Sequence, residues 1–327
     1  MTRCVVVALA TLALCGCSMG QGRGAYEQTY FPARHNWRFR ALYPEADRLF
    51  NAFDYGHAIL YETLLDRSDR RIVDGSLFHH VTSDVLRHPP HIPLEERAIA
   101  PDYALLIPEV VAMFDWAHML HRQLYDVLSD ARIAPSAREA RVAQVLAYYR
   151  SRPDLALSAQ PKTMELMEGQ PYSLTFRRVA PRYNALIWSY HWLQMVTYDA
   201  LLASDSRDSR RADIDSAIAH FWKMVDDSTA SPAVMPMSAA IAPGFTEHFP
   251  EAAAVFDNLH ALHDVISDIF ASDSIPRRDK RGVALRAAAQ YRDSTTAVSS
   301  RDDWLAMSRA MDVEKMGGRL PMWRPPD

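Results

Sequence analysis

Three times in this chain a histidine stands ten positions after a proline: Pro108 and His118, Pro181 and His191, Pro250 and His260. Two copies, PEVVAMFDWAHMLH (108–121) and PEAAAVFDNLHALH (250–263), share Pro-Glu, Phe-Asp, a Leu and two histidines in one register. A fourth relative, PEADRLFNAFDYGHAIL from Pro44, keeps Phe53, Asp54 and His57, with three extra residues between its Pro-Glu and its Phe-Asp. Proline is suited to the first position of a helix and not to its interior, so each copy reads as a helix start. Four helices that each carry a histidine near the middle must either converge those polar groups or bury them one by one at a cost.

The remaining composition favours helix. Only 11 of the 327 residues are glycine, and no segment alternates Val, Ile and Thr as a strand would. Prolines and polar runs place long helices at about 44–66, 108–132, 181–203 and 250–272, with amphipathic helices near 70–87, 136–150, 213–227, 277–292 and 301–312. The run SDSRDSRR (204–211) reads as a loop, and residues 153–180 as connection with one short helix around Met164. His57 and His191 lie 134 positions apart, and His118 and His260 lie 142 apart, which points to an internal duplication with halves at about 44–151 and 161–292. The expected fold is all-α: a four-helix bundle from two duplicated helical hairpins, with additional peripheral helices, occupying residues 44–327.

The N-terminus carries a different message. MTRCVVVALATLALCGCSMG has Arg3, an apolar run from Val5 to Leu14, and then Leu14-Cys15-Gly16-Cys17. A run of that length is too short for a permanent span. It resembles the bacterial lipoprotein signal with its lipobox. The resemblance implies removal of residues 1–16, lipidation of Cys17, a tether over 17–43, and a lipid-anchored place in the bacterial cell envelope, with Ser18 directing it to the outer membrane. Cys4, Cys15 and Cys17 are the chain's three cysteines, so the body has none for disulfides or thiolate metal ligation. Losing Arg3 leaves 35 basic against 40 acidic side chains, a balance that argues against nucleic acid as a partner.

The chemistry of the repeat lies in its Asp-x-x-His pairs. Asp115 with His118, and Asp257 with His260, are three apart and so share a helix face; His121 and His263 extend that face by another turn. Asp54 and His57 repeat the pair on the first helix, whereas Trp188 and Gln194 flank His191 on the third. Such a set ligates a metal through imidazole and carboxylate together, or through imidazole with the carboxylate fixing the ring tautomer. Asp126, Asp199 and Asp268 each follow a frame histidine by eight residues, roughly 12 Å along a helix, and mark a second polar layer or helix-end charges. Trp116, Trp188, Tyr190 and Trp192 read as packing, and Tyr125 and Tyr198 as core hydrogen-bonders. His79, His80, His88 and His91 lie in a separate segment that could cap a site.

Four helices with two carboxylate-x-x-His pairs resemble the ferritin-like di-metal carboxylate bundles, with Asp where that family uses Glu. The departures are Glu62, about 140° around the helix from His57, and His191 in place of an acid. The resemblance implies a metal ion, iron first and one ion or two, on Asp54, His57, Asp115, His118, His121, His191, Asp257, His260 and His263, and redox, oxygen-handling or metal-sequestering chemistry. Haem between opposed histidines ranks below it, because no Cys-x-x-Cys-His attachment is present. The competing reading is a non-enzymatic structural or partner-binding envelope lipoprotein whose histidines make core hydrogen bonds.

Overall fold

The computed structural model describes residues 37–66, 71–204 and 206–320; the signal segment, Cys17 and most of the tether lie outside the described residues. The fold is all-α. Four long helices open at the four prolines: α2 (Pro44–Asp66), α4 (Pro108–Ser129), α6 (Pro181–Leu202) and α8 (Pro250–Ala271). Each is entered from a short helix: α1 (Arg38–Leu42), α3 (Pro101–Leu106), α5 (Thr175–Val179) and α7 (Pro243–His248). Thus part of the expected tether is a helix, and it buries Phe39 and Leu42.

The four junctions share one conformation. Tyr43, Ile107, Ala180 and Phe249 have φ between −142° and −132° and ψ between 57° and 62°. A residue before proline is excluded from the helical region by the proline ring, so each short helix must stop there and the chain re-enters a helix at N1.

The first backbone N–H groups of the short helices need acceptors, and carboxylates from the long helices supply them. Glu62 of α2 accepts from Asp102 N (3.2 Å) and Tyr103 N (2.8 Å) of α3. Asp126 of α4 accepts from Phe39 N of α1 at 2.7 Å. In the second half, Asp199 of α6 accepts from Gly244 N (3.2 Å) and Phe245 N (2.6 Å) of α7. Asp268 of α8 accepts from Leu174 N (2.8 Å) and Phe176 N (2.7 Å) at the start of α5. The caps are therefore reciprocal: within each half, either long helix holds the short helix that leads into the other.

Close helix packing runs between the halves, with α2 and α4 each against both α6 and α8. At one such crossing a Cβ on Gly56 would lie 3.2 Å from the Tyr190 ring, so this position needs glycine for the approach of α2 to α6. Nearly every residue of α8 and most of α6 is buried, so these two helices form the centre. Around them lie Pro135–Arg150 against α4, Arg207–Asp226 against α6 and Arg277–Arg292 against α8. Among the described residues no helix is long and apolar enough to cross a membrane.

Candidate metal centre

Counted from its proline without a gap, each long helix has the same frame. Ten positions on stand Asp54, His118, His191 and His260; thirteen on stand His57, His121, Gln194 and His263; eighteen on stand the capping acids Glu62, Asp126, Asp199 and Asp268. The three-residue insertion expected in the first copy is absent, because Glu62, eighteen on from Pro44, caps a short helix as Asp126, Asp199 and Asp268 do in the same register. His57 is therefore the counterpart of His121 and His263, not of His118.

Six histidines from all four long helices meet in one buried layer. Ring centroids are 4.0 Å apart for His191 and His260, 4.4 Å for His57 and His263, and 5.4 Å for both His57 with His191 and His118 with His263. His121 reaches His260 at 5.9 Å. Centroid separations of 4.0 to 5.9 Å are too short for a haem plane to lie between any of these ring pairs. Within the layer, one nitrogen from each of His57, His191 and His263 lies within 4.8 Å of the other two, a buried arrangement that could hold a metal ion.

Within the triad His263 Nδ1 and His191 Nε2 meet at 3.4 Å. His57 Nδ1 donates to the Phe53 carbonyl at 2.9 Å; a carbonyl only accepts, so Nε2 keeps its lone pair. His57 Nε2, His121 Nε2, His191 Nδ1, His263 Nε2 and both nitrogens of His260 are buried with no hydrogen-bond partner. Burial, reinforced by the neighbouring imidazoles, depresses the pKa of His57 to about 4 and holds His121, His191, His260 and His263 well below the usual range. His118 is lowered by burial too, against the pull of Asp54, whose carboxylate lies 3.5 Å from its Nδ1. Neutral imidazoles are the form that ligates metal.

The carboxylates divide differently from the sequence expectation that Asp115, His118, Asp257 and His260 converge. Both oxygens of Asp257 are taken, by the backbone N (2.9 Å) and hydroxyl (2.5 Å) of Ser238 and by Trp304 Nε1 (3.0 Å). Asp257 thus ties α8 to the segment before α7 and to the helix Arg301–Ala310. Asp54 accepts from Arg122 at 2.9 Å and reaches only the edge of the layer through His118. Asp115 is pushed up to about 7 by burial and then by Asp54 and Glu95; Glu96 is raised well above the usual carboxylate range, by burial and then by Asp115 and Asp54. No sequence pattern marks Glu96, which comes from a separate short helix, Glu96–Ile99.

The other singled-out residues lie apart from the layer or support it. His79 and His80 bond Ser83 and Asp84 on the surface. Trp188 donates to Asp264 at 2.9 Å, Trp116 to the Tyr149 carbonyl at 2.9 Å and Trp192 to the Gly318 carbonyl at 2.7 Å. Tyr198 OH meets His121 Nδ1 at 2.8 Å. Comparison with family models, with curated proteins and with solved structures finds no match for this chain.

Proposed function

We propose that this protein is a lipid-anchored envelope protein whose helical core carries a transition-metal ion on His57, His191 and His263, for redox or oxygen-handling chemistry. The observation that carries the reading is the convergence of three buried, neutral imidazoles from three helices within 4.8 Å. Each of the three has a ring nitrogen without a partner. An unpartnered buried polar atom costs about 1–3 kcal/mol, a penalty that a bound cation removes.

Three imidazoles with no carboxylate among them suit iron, copper, zinc or nickel better than magnesium or calcium. Iron remains the expected metal, and the all-nitrogen set admits copper on equal chemical terms. Three protein ligands leave a coordination position open, as in reactive rather than purely structural sites. The three rings are at most 4% exposed, so an organic substrate cannot touch the ion without the helices parting, whereas electron transfer needs no such opening. The lipobox at Cys17 supports the envelope location.

Elemental analysis and absorbance spectra of the protein lacking its signal and lipid, for wild type and for His57→Ala with His263→Ala, test the reading. Near-stoichiometric iron or copper in wild type that disappears in the double variant is the expected result. A folded wild type that neither contains metal nor takes it up overturns it.

A further inference from the structure

One ion on the histidine triad leaves the rest of the layer unexplained. His121 Nε2 and both nitrogens of His260 remain buried and unpartnered, and neither residue belongs to the triad. The arrangement of the helices says where they belong.

The reciprocal caps are what one twofold axis shared by both halves produces, exchanging α2 with α4 and α6 with α8. Contacts deep in the core obey the same exchange. Tyr61 OH donates to the His263 carbonyl at 3.4 Å, and Tyr125 OH donates to the Gln194 carbonyl at 2.7 Å. His57 lies 6.3 Å from Tyr61 at an interplanar angle of 44°, and His121 lies 5.8 Å from Tyr125 at 31°. His57 and His191 stack at 5.4 Å and 12°, and His121 and His260 at 5.9 Å and 22°. Applied to the triad, the exchange takes His57 to His121, His191 to His260 and His263 to Gln194.

We infer that His121, His260 and Gln194 form a second metal position, the pseudo-symmetric mate of the triad, in which an amide oxygen replaces the third imidazole. The inference rests on the triad reading for its geometry and is separable from it by stoichiometry. Gln194 is 6% exposed and stands thirteen residues after Pro181, in the register that the other three long helices fill with histidine. A glutamine oxygen is a known but weaker ligand for the metals that imidazole favours, so the second position binds the same class of ion less tightly. The His191 and His260 rings, in contact at 4.0 Å, sit on the axis and bring the two positions side by side.

Titration of the metal-free protein with cobalt(II), followed by its visible ligand-field bands and by equilibrium dialysis, separates the outcomes. Wild type should take two ions, the second about tenfold or more weaker than the first. Gln194→His should tighten the second without moving the first, and His121→Ala should abolish the second alone. Because His121→Ala opens a cavity, Gln194→His serves as the variant that keeps the volume filled. One ion in wild type, lost in His57→Ala and unchanged in both His121→Ala and Gln194→His, overturns the second position and leaves the triad standing. No cobalt bound to folded wild type overturns both.

Discussion

His191 and His260 stack face to face at the centre of the molecule, 4.0 Å between centroids and 9° from parallel, each 0% exposed. Two such rings cannot both be cations. That relationship sets how the metal-free protein responds to acid.

Every imidazole of the layer has its folded-state pKa lowered, His57 from 6.5 to about 4. As pH falls below 6.5 the unfolded chain takes up protons that the folded one refuses, so stability present above 6.5 is lost toward about 4. The loss approaches about 1.4 kcal/mol per pH unit for each imidazole. Seven buried acids act in the opposite sense, because the folded state protonates them first: Asp126, held up to about 8, Asp115 and Asp264, near 7, Asp199, Asp257 and Asp268, near 6, and Glu96, raised well above the usual range. They offset the six rings until the unfolded chain protonates its own carboxylates. The denaturation midpoint of metal-free protein should therefore change little between pH 7 and pH 5 and fall steeply below pH 5; a steep fall already between pH 7 and pH 5 would show the acids ionised within the fold.

Asp257→Asn should leave metal content unchanged while lowering stability. Its carboxylate serves Ser238 and Trp304, and an amide cannot accept from all three donors. A loss of about 1–3 kcal/mol in chemical denaturation is expected. Loss of metal from a protein of wild-type stability would make Asp257 a ligand instead.

Removing a cap should cost what caps usually cost. Asp199→Ala strands Gly244 N and Phe245 N and should destabilise by about 1–2 kcal/mol, measured by denaturant titration. Glu62→Ala should cost less, because its bond to Asp102 N is exposed and water can replace it. Equal costs would mean that burial does not govern the caps.

Two glycines should respond in opposite directions. A methyl group on Gly56 meets Tyr190 at 3.2 Å, so Gly56→Ala should destabilise by about 1–3 kcal/mol and weaken metal binding by shifting the neighbouring His57. Gly282 sits in the helix Arg277–Arg292, where a new Cβ would meet Arg286 Nη1 at 3.4 Å, the end of a flexible chain. Gly282→Ala should raise the melting temperature by virtue of helix propensity alone. A stabilising Gly56→Ala would show that α2 and α6 have slack at the site.

Much of this was legible in the sequence because proline does two jobs at once. It fixes where a helix starts, and the long helices begin at Pro44, Pro108, Pro181 and Pro250 as the pattern predicts. The register of the first helix was not legible, because matching the Phe-Asp words suggested an insertion where a count from the proline needs none. Nor was the loop SDSRDSRR, whose second half opens the helix Arg207–Asp226 under a Ser206 cap. Convergence of the histidines follows from helix periodicity. The fate of Asp257 does not, because Ser238 and Trp304 come from segments whose placement depends on tertiary packing. The eighteen-residue spacing from proline to capping acid was present in all four copies and is the signal that would have disclosed the short helices.

The reciprocal caps also bear on the order in which the chain can assemble. Glu62 completes the helix that leads into α4, and Asp126 completes the one that leads into α2, so neither member of the pair is finished before the other arrives. Each half should close as one cooperative step rather than by growth from an end, and amide exchange at Phe39, Tyr103, Phe176 and Phe245 should report that closure together.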